Sequence, residues 1–92
     1  MSNLIGRSIL VSGKVQGVFY RASTREEAIK LGLKGWVKNL PTGEVFIDVF
    51  GELKAVEKFI VWCKQGPPLS NVVDTSIKNI PFREEASFEV RY

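Results

Sequence analysis

The order of apolar and polar residues along the chain predicts an alternation of strands and helices. Residues 7–12 are typical of a strand, because Ile9 and Val11 share one face when successive side chains point in opposite directions. Residues 23–26, Ser-Thr-Arg-Glu, have the form of a capping box and predict that a helix of about three turns begins there. Gly32 is the expected glycine at the end of this helix.

A hairpin is predicted in the middle of the chain. Residues 35–39 and 44–50 are rich in the β-branched and aromatic residues that strands favour. The segment between them, residues 40–43, places Pro41 and Gly43 where a type I turn favours them. The two strands are therefore expected to pair directly.

A second helix and two further strands complete the pattern. Apolar residues recur at positions i, i+3, i+4 and i+7 of one segment, namely Val56, Phe59, Ile60 and Cys63. This period predicts an amphipathic helix over residues 53–65, which the Gly-Pro-Pro run at 66–68 ends. Strands are expected around residues 72–80 and 87–91.

The predicted element order is β-α-β-β-α-β with one added strand at the C-terminal end. This is the order of the ferredoxin-like, or split βαβ, fold of the α+β class, in which two helices cover one face of an antiparallel sheet. A chain of 92 residues, 45% of them hydrophobic, has the size of one domain, so residues 1–92 are expected to share a single core. Such a fold hosts many activities and does not indicate one of them.

The composition argues against several kinds of site. The one cysteine, Cys63, cannot form an internal disulfide, and without histidine the chain has no Cys and His set for a metal ion. No apolar run approaches the roughly 20 residues of a membrane helix, and residues 1–7 lack the apolar run of a signal peptide. We therefore expect a soluble, cytoplasmic protein without a metal site or a membrane partner. The expected oligomeric state is a monomer.

Positive charge is concentrated in the first part of the chain. Residues 1–38 hold seven Lys and Arg against two Glu, whereas residues 39–92 are net acidic within a total charge of +3. This asymmetry suits a small anionic ligand. It is weak support for a nucleic acid partner, which a strongly basic face would bind.

The stretch SGKVQGVFYRAS, residues 12–23, joins the first strand to the first helix and carries candidate chemistry. The backbone N–H groups of residues 15–20, if curled around one centre, would bind an anion at the helix N-terminus. Gly17 permits backbone angles closed to other residues, and Arg21 has a planar fork of donors that matches phosphate oxygens. An ordinary tight turn with a solvated arginine explains the same residues, and spacing alone favours it. Asn39 directly precedes the predicted turn, and this spacing likewise favours a turn former over a catalytic group.

Three segments resemble the acylphosphatase family and together span nearly the whole chain. GKVQGVFYR at 13–21 is similar to the signature loop of these enzymes, and LGLKGWVKN at 31–39 is similar to their second signature. WCKQGPP at 62–68 also resembles them. The chain departs from the usual pattern at three positions that flank the loop and the hairpin, namely Phe19, Tyr20 and Thr42. These departures concern substrate preference and turn stability more than the chemistry.

The resemblance implies hydrolysis of acyl phosphates, which are carboxyl-phosphate mixed anhydrides, to a carboxylate and inorganic phosphate. It assigns phosphate binding to the loop residues Val15, Gln16, Gly17, Val18, Phe19, Tyr20 and Arg21. It implies two catalytic residues: Arg21 holds the phosphoryl oxygens, and the side-chain amide of Asn39 orients a water molecule for in-line attack. The implied partner is a small-molecule acyl phosphate, with no metal and no cofactor.

The alternative interpretation is a non-catalytic ferredoxin-like module that binds RNA or a phosphorylated ligand. RNA-recognition domains share the element order and stack bases on aromatic side chains of the open sheet face, where Phe46 and Phe50 would lie beside Asp48. However, residues 43–50 lack the Lys/Arg-Gly-aromatic start of that family's motif, and the first strand has no aromatic residue. The enzyme is therefore the first hypothesis, and no nucleic acid partner is expected.

Overall fold

The computed structural model describes residues 3–92 and confirms the predicted order of strands and helices. The elements are β1 (Leu4–Lys14), α1 (Tyr20–Lys30), β2 (Lys34–Asn39), β3 (Val45–Glu52), α2 (Leu53–Gln65), β4 (Asn71–Ile80) and β5 (Phe88–Arg91). Helix α2 spans the residues that the period of its apolar positions predicts, because one face of the helix packs on the sheet.

The strands form one sheet in the order β4-β1-β3-β2-β5. The four strands of the ferredoxin-like order pair antiparallel, as predicted, whereas the added strand β5 lies parallel to β2 and makes the sheet mixed. The register explains this direction. Strand β4 runs opposite to β2, and its last residues lie level with the first residues of β2 across the sheet. The chain crosses the sheet at that end, so β5 starts beside the beginning of β2 and runs in the same direction.

The core lies between the two helices and the face of the sheet that both of them cover. Its fully buried members are Ile9, Val11, Val37, Val45, Ile47 and Val49 from the strands and Ala28, Val56, Phe59 and Cys63 from the helices. Burial of aliphatic and aromatic side chains of this size contributes about 1.5–3 kcal/mol each to the free energy of unfolding.

Within residues 3–92, no helix is long and apolar enough to cross a membrane.

Helix α1 begins earlier than the sequence predicts. Its first residue is Tyr20, and the residue before it, Phe19, takes the N-cap position with a left-handed backbone. The N–H of Ser23 donates to the Phe19 carbonyl at 3.0 Å, so Ser23 already lies in the first helical turn. The predicted capping box at residues 23–26 is therefore wrong, because the tertiary packing of Tyr20 extends the helix towards the N-terminus.

Gly32 marks the end of α1, as predicted, and lies one position after the C-cap residue. The C-cap is Leu31, and Gly32 follows it with φ 73°. The N–H of Leu33 donates to the Ala28 carbonyl at 2.9 Å, which is the long bond of a Schellman motif. Glycine suits this position because the left-handed conformation carries no Cβ penalty there.

The face of the sheet opposite the helices is partly covered by the connection between β4 and β5. Phe50 is buried, with Phe82 of this connection 6.3 Å away between ring centroids and the Arg83 guanidinium 4.9 Å from its ring. Arg83 also forms an ion pair with Asp48 at 3.5 Å. The expectation that Phe50 and Phe46 together offer a surface for stacking bases is therefore wrong for Phe50.

Candidate active site

A pocket of about 300 Å³ opens between the β1–α1 loop, the end of β2 and the end of β5. Its lining residues are Val15, Gly17, Phe19, Tyr20, Arg21, Ala22, Asn39, Val90 and Tyr92. The fold thus brings Asn39 into the same cavity as Arg21 and most of the predicted loop. Two predicted loop residues do not line the cavity: Val18 is buried, and the Gln16 side chain is bonded to the hairpin.

Two left-handed residues shape the loop between β1 and α1. Gly17 has φ 73° and Phe19 has φ 63°. This conformation is open to glycine but costs other residues roughly 1–2 kcal/mol. The loop is held in place by the buried side chains of Val15 and Val18, which belong to the hydrophobic core. The core therefore stabilises a tight turn at the start of the helix.

The backbone N–H groups of residues 16–22 have no acceptor in the described part of the chain. The first hydrogen bond of α1 starts at the N–H of Ser23, and none of the seven preceding N–H groups donates to another group within residues 3–92. The first turn of α1 also has no acidic side chain that would neutralise the positive potential of the helix N-terminus. Unpaired N–H groups at a helix N-terminus form a ready binding site for phosphate and other anions.

Gln16 joins the loop to the hairpin that carries Asn39. Its Nε2 donates to the carbonyl oxygens of Leu40 and Glu44, both at 2.9 Å. The N–H of Leu40 in turn donates to the Glu44 carbonyl at 2.8 Å and closes the hairpin. Because Leu40 directly follows Asn39, these bonds fix the position of Asn39 relative to the loop.

Arg21 is held at the pocket by β5 and the residue that follows it. Its Nη1 donates to the Arg91 carbonyl at 3.3 Å, and its guanidinium carbon lies 4.6 Å from the centroid of the Tyr92 ring. The second contact is a cation–π interaction, which orients the guanidinium without neutralising it. In the described part of the chain no carboxylate forms an ion pair with Arg21, so its charge is available to an anionic ligand.

Three lining residues, Ala22, Val90 and Tyr92, are not predicted from the sequence. Ala22 is the neighbour of Arg21 in the first turn of α1, and the early start of that helix places it at the cavity. Val90 comes to the pocket because it pairs with Val37 in the parallel β2–β5 ladder. Nothing in the local sequence around Val90 or Tyr92 indicates this pairing.

Asn39 has a buried side-chain oxygen without a hydrogen-bond partner. Its Oδ1 accepts no hydrogen bond from any group within residues 3–92. A buried polar atom left unpaired costs about 1–3 kcal/mol, and such atoms are uncommon in folded proteins. A turn former would instead bond its side chain to the turn backbone. The unpaired acceptor of this pocket-lining residue therefore distinguishes Asn39 from an ordinary turn former.

Tyr20 connects the start of α1 to the end of α2. Its hydroxyl donates to the Cys63 carbonyl at 2.7 Å, and its ring lies 5.6 Å from that of Trp62 between centroids. Burial raises the pKa of the Tyr20 hydroxyl, and burial likewise raises the pKa of the Cys63 thiol. Both groups therefore stay protonated at neutral pH. The Tyr20 hydroxyl also satisfies a carbonyl near the C-terminus of α2 that lacks an intrahelical partner.

We expect the Tyr20→Phe variant to be less stable than the wild type by about 1–2 kcal/mol, because it leaves the buried Cys63 carbonyl unpaired. In a protein of this size that loss lowers Tm by roughly 4–8 °C per kcal/mol. Thermal and urea unfolding measure it. Tyr92→Phe is the matched control, since Tyr92 is 98% exposed and removal of its hydroxyl leaves no buried group unpaired. Equal melting temperatures for the two variants would contradict the assigned role of the hydrogen bond.

Comparisons with known proteins point to one family. A family model described as acylphosphatase matches residues 7–90. An acylphosphatase of Aeropyrum pernix is 51% identical over 92 residues, which cover 98% of this chain and 91% of the relative. A solved acylphosphatase structure from Coxiella burnetii superposes with a TM-score of 0.93 at 39% identity, covering 97% of this chain and 94% of the other. One from Bacillus subtilis has the same TM-score at 36% identity, covering 96% and 99%.

Proposed function

The chain belongs to the acylphosphatase family, whose reaction is the hydrolysis of acyl phosphates, and on that premise we propose that the pocket around Arg21 and Asn39 carries out this hydrolysis. The observation that supports this most directly is the combination inside one cavity of an unpaired cation, unpaired N–H groups and an unpaired buried acceptor. The cation and the N–H groups suit the binding of a phosphoryl group, and the side chain of Asn39 suits the placement of a water molecule.

The phosphoryl group is bound by the loop and by Arg21. The unpaired backbone N–H groups of the lining residues Gly17, Phe19 and Tyr20, backed by the N-terminus of α1, donate to its oxygens. The guanidinium fork of Arg21 donates to them as well, and its charge offsets the negative charge that the transition state spreads over these oxygens. Tyr92 and the Arg91 carbonyl hold the fork in one orientation before the substrate binds. The site therefore needs little rearrangement as the reaction proceeds.

Asn39 places the attacking water. Its side-chain amide forms a hydrogen bond with the water, whose oxygen then attacks phosphorus opposite the carboxylate. The new P–O bond forms as the bond to the anhydride oxygen breaks, the electron pair of that bond leaves with the carboxylate, and the proton of the water passes to the phosphate product or to solvent. A carboxylate is a good leaving group, so no general acid is required.

The same scheme proceeds without a metal ion or a cofactor. The guanidinium and the N–H groups supply the positive charge that a metal would otherwise contribute. No group of three or more Cys, Asp and Glu side chains within residues 3–92 is placed to hold a metal ion.

We also propose that residues 1–92 form one domain that acts in the cytoplasm as a monomer, on small-molecule acyl phosphates and not on nucleic acid.

We expect kcat for benzoyl phosphate to vary little between roughly pH 5 and 8 and to be unchanged by EDTA. The chain has no histidine, and burial keeps the pKa values of Tyr20 and Cys63 above this range, so neither group loses its proton within it. Initial rates across this range, with and without chelator, measure both effects. Inorganic phosphate, which fits the same site as a product, should inhibit competitively. A steep sigmoid near neutrality, or activity that EDTA removes, would contradict the scheme.

A further inference from the structure

Phe19 is exposed and held in an unfavourable backbone conformation. Its φ of 63° is the one positive value at a non-glycine residue within the described chain, and its side chain is 74% exposed at the rim of the pocket. The residue occupies the N-cap of α1 but makes no side-chain capping bond there. Neither packing nor capping therefore explains a large aromatic residue at this position. Strained residues of this kind cluster at functional sites.

Three other residues of the pocket lining also offer largely apolar surface. Tyr92 is 98% exposed, and its ring faces the guanidinium of Arg21 at 4.6 Å. Ala22 and Val90 complete the lining beside these two rings. An acyl group attached to a phosphate held by the loop would lie in the same cavity, where these side chains are available to contact it. Aromatic rings prefer such surroundings, where they make offset or edge-to-face contacts.

Charge in the pocket points to the same kind of acyl group. Among the described residues that line it, Arg21 is the one with a charged side chain. In the proposed function the phosphoryl group occupies its donors. A second negative charge on the acyl group would find no cation inside the pocket. An anionic acyl group would therefore gain no ion pair there, whereas an uncharged aromatic group can contact the Phe19 and Tyr92 rings.

We propose that this pocket selects acyl phosphates whose acyl group is uncharged and apolar, above all aromatic, and that Phe19 is the residue that contacts this acyl group. The inference rests on the proposed function, since it assigns the acyl part of the substrate to the rim of the same site. Phe19 acts on the acyl group and leaves phosphate binding to the loop N–H groups and Arg21.

The test compares kcat/KM for acetyl, benzoyl and 4-carboxybenzoyl phosphate in the wild type, Phe19→Ala and Val61→Ala. Val61 is an exposed apolar residue of α2 outside the pocket, so its variant is a control for loss of an exposed side chain. Phe19→Ala should lower kcat/KM for benzoyl phosphate about 3- to 10-fold relative to its effect on acetyl phosphate, the factor that a single aromatic contact supplies. Dividing each variant's kcat/KM by the wild-type value for the same substrate cancels the differing reactivity of the two leaving groups.

Two further measurements sharpen the test. The wild type should hydrolyse 4-carboxybenzoyl phosphate with a lower kcat/KM than benzoyl phosphate, because the added carboxylate gains no ion pair from the pocket. The inhibition constant of inorganic phosphate should be the same in Phe19→Ala and the wild type. Equal losses on acetyl and benzoyl phosphate, or a weakened phosphate inhibition, would overturn the role of Phe19. Failure of the wild type to hydrolyse any of the three compounds would instead overturn the proposed function.

Discussion

Replacing Arg21 with alanine is expected to lower kcat/KM for benzoyl phosphate by a factor of 10² or more, about 3 kcal/mol of transition-state stabilisation. Arg21 is the charged side chain of the pocket and forms no ion pair within residues 3–92, so its removal leaves the phosphoryl oxygens without a cation. The same variant should bind inorganic phosphate more weakly, because the guanidinium contacts the anion in the ground state too. Steady-state kinetics and phosphate inhibition measure the two effects.

Arg25 offers a matched control for this substitution. It lies one turn further along α1, where its Nε donates to the Phe88 carbonyl at 3.2 Å outside the pocket. Arg25→Ala removes an equal charge from the same helix and should leave kcat/KM within about twofold of the wild type. Arg21→Lys should restore little activity, since an ammonium group lacks the planar fork. Near-normal kinetics of either Arg21 variant would contradict the assignment.

Replacing Asn39 with alanine is expected to lower kcat roughly 10²-fold while the inhibition constant of inorganic phosphate stays close to that of the wild type. The reason for this split is that Asn39 aims the water and does not hold the phosphate. Removing its unpaired Oδ1 also removes a buried group without a partner, so the variant should be no less stable than the wild type.

The control for Asn39 lies in the adjacent turn. Thr42 donates from its hydroxyl to a Glu44 carboxylate oxygen at 2.8 Å and lies outside the pocket. Thr42→Ala therefore tests turn stability alone. It should lower Tm and leave kcat close to the wild-type value. A simple turn former at position 39 would produce the opposite result for Asn39→Ala, namely a lower melting temperature with normal kcat per folded molecule.

The sequence predicts those elements whose signals are local. The apolar period in residues 53–65 places α2 correctly at both ends, because every turn of that helix buries the same face. Gly32 marks the end of α1 for a similarly local reason, a left-handed position that glycine adopts without strain. The resemblance of residues 13–21 and 31–39 to the family's motifs identifies Arg21 and Asn39 as candidates, although their spacing alone does not.

The start of α1 shows where local signals mislead. Residues 23–26 satisfy the capping-box pattern, yet the helix begins at Tyr20. The Tyr20 side chain is buried, and its hydroxyl bonds a carbonyl 43 positions away in the chain, at Cys63. These contacts with α2 accompany the left-handed backbone of Phe19, which directly precedes the helix. A pattern confined to four neighbouring residues contains no information about such a distant partner.

The sequence by itself thus determined the order of the elements, the extent of α2 and the identity of the two candidate catalytic residues. The tertiary structure alone decided how the pocket is completed. Parallel pairing of β5 with β2 brings Val90 and Tyr92 to Arg21, and the bonds of Gln16 hold Asn39 at the loop. The physical reason is that amphipathic period and turn chemistry act over a few residues, whereas strand pairing and ring contacts depend on which distant segments the folded chain places side by side.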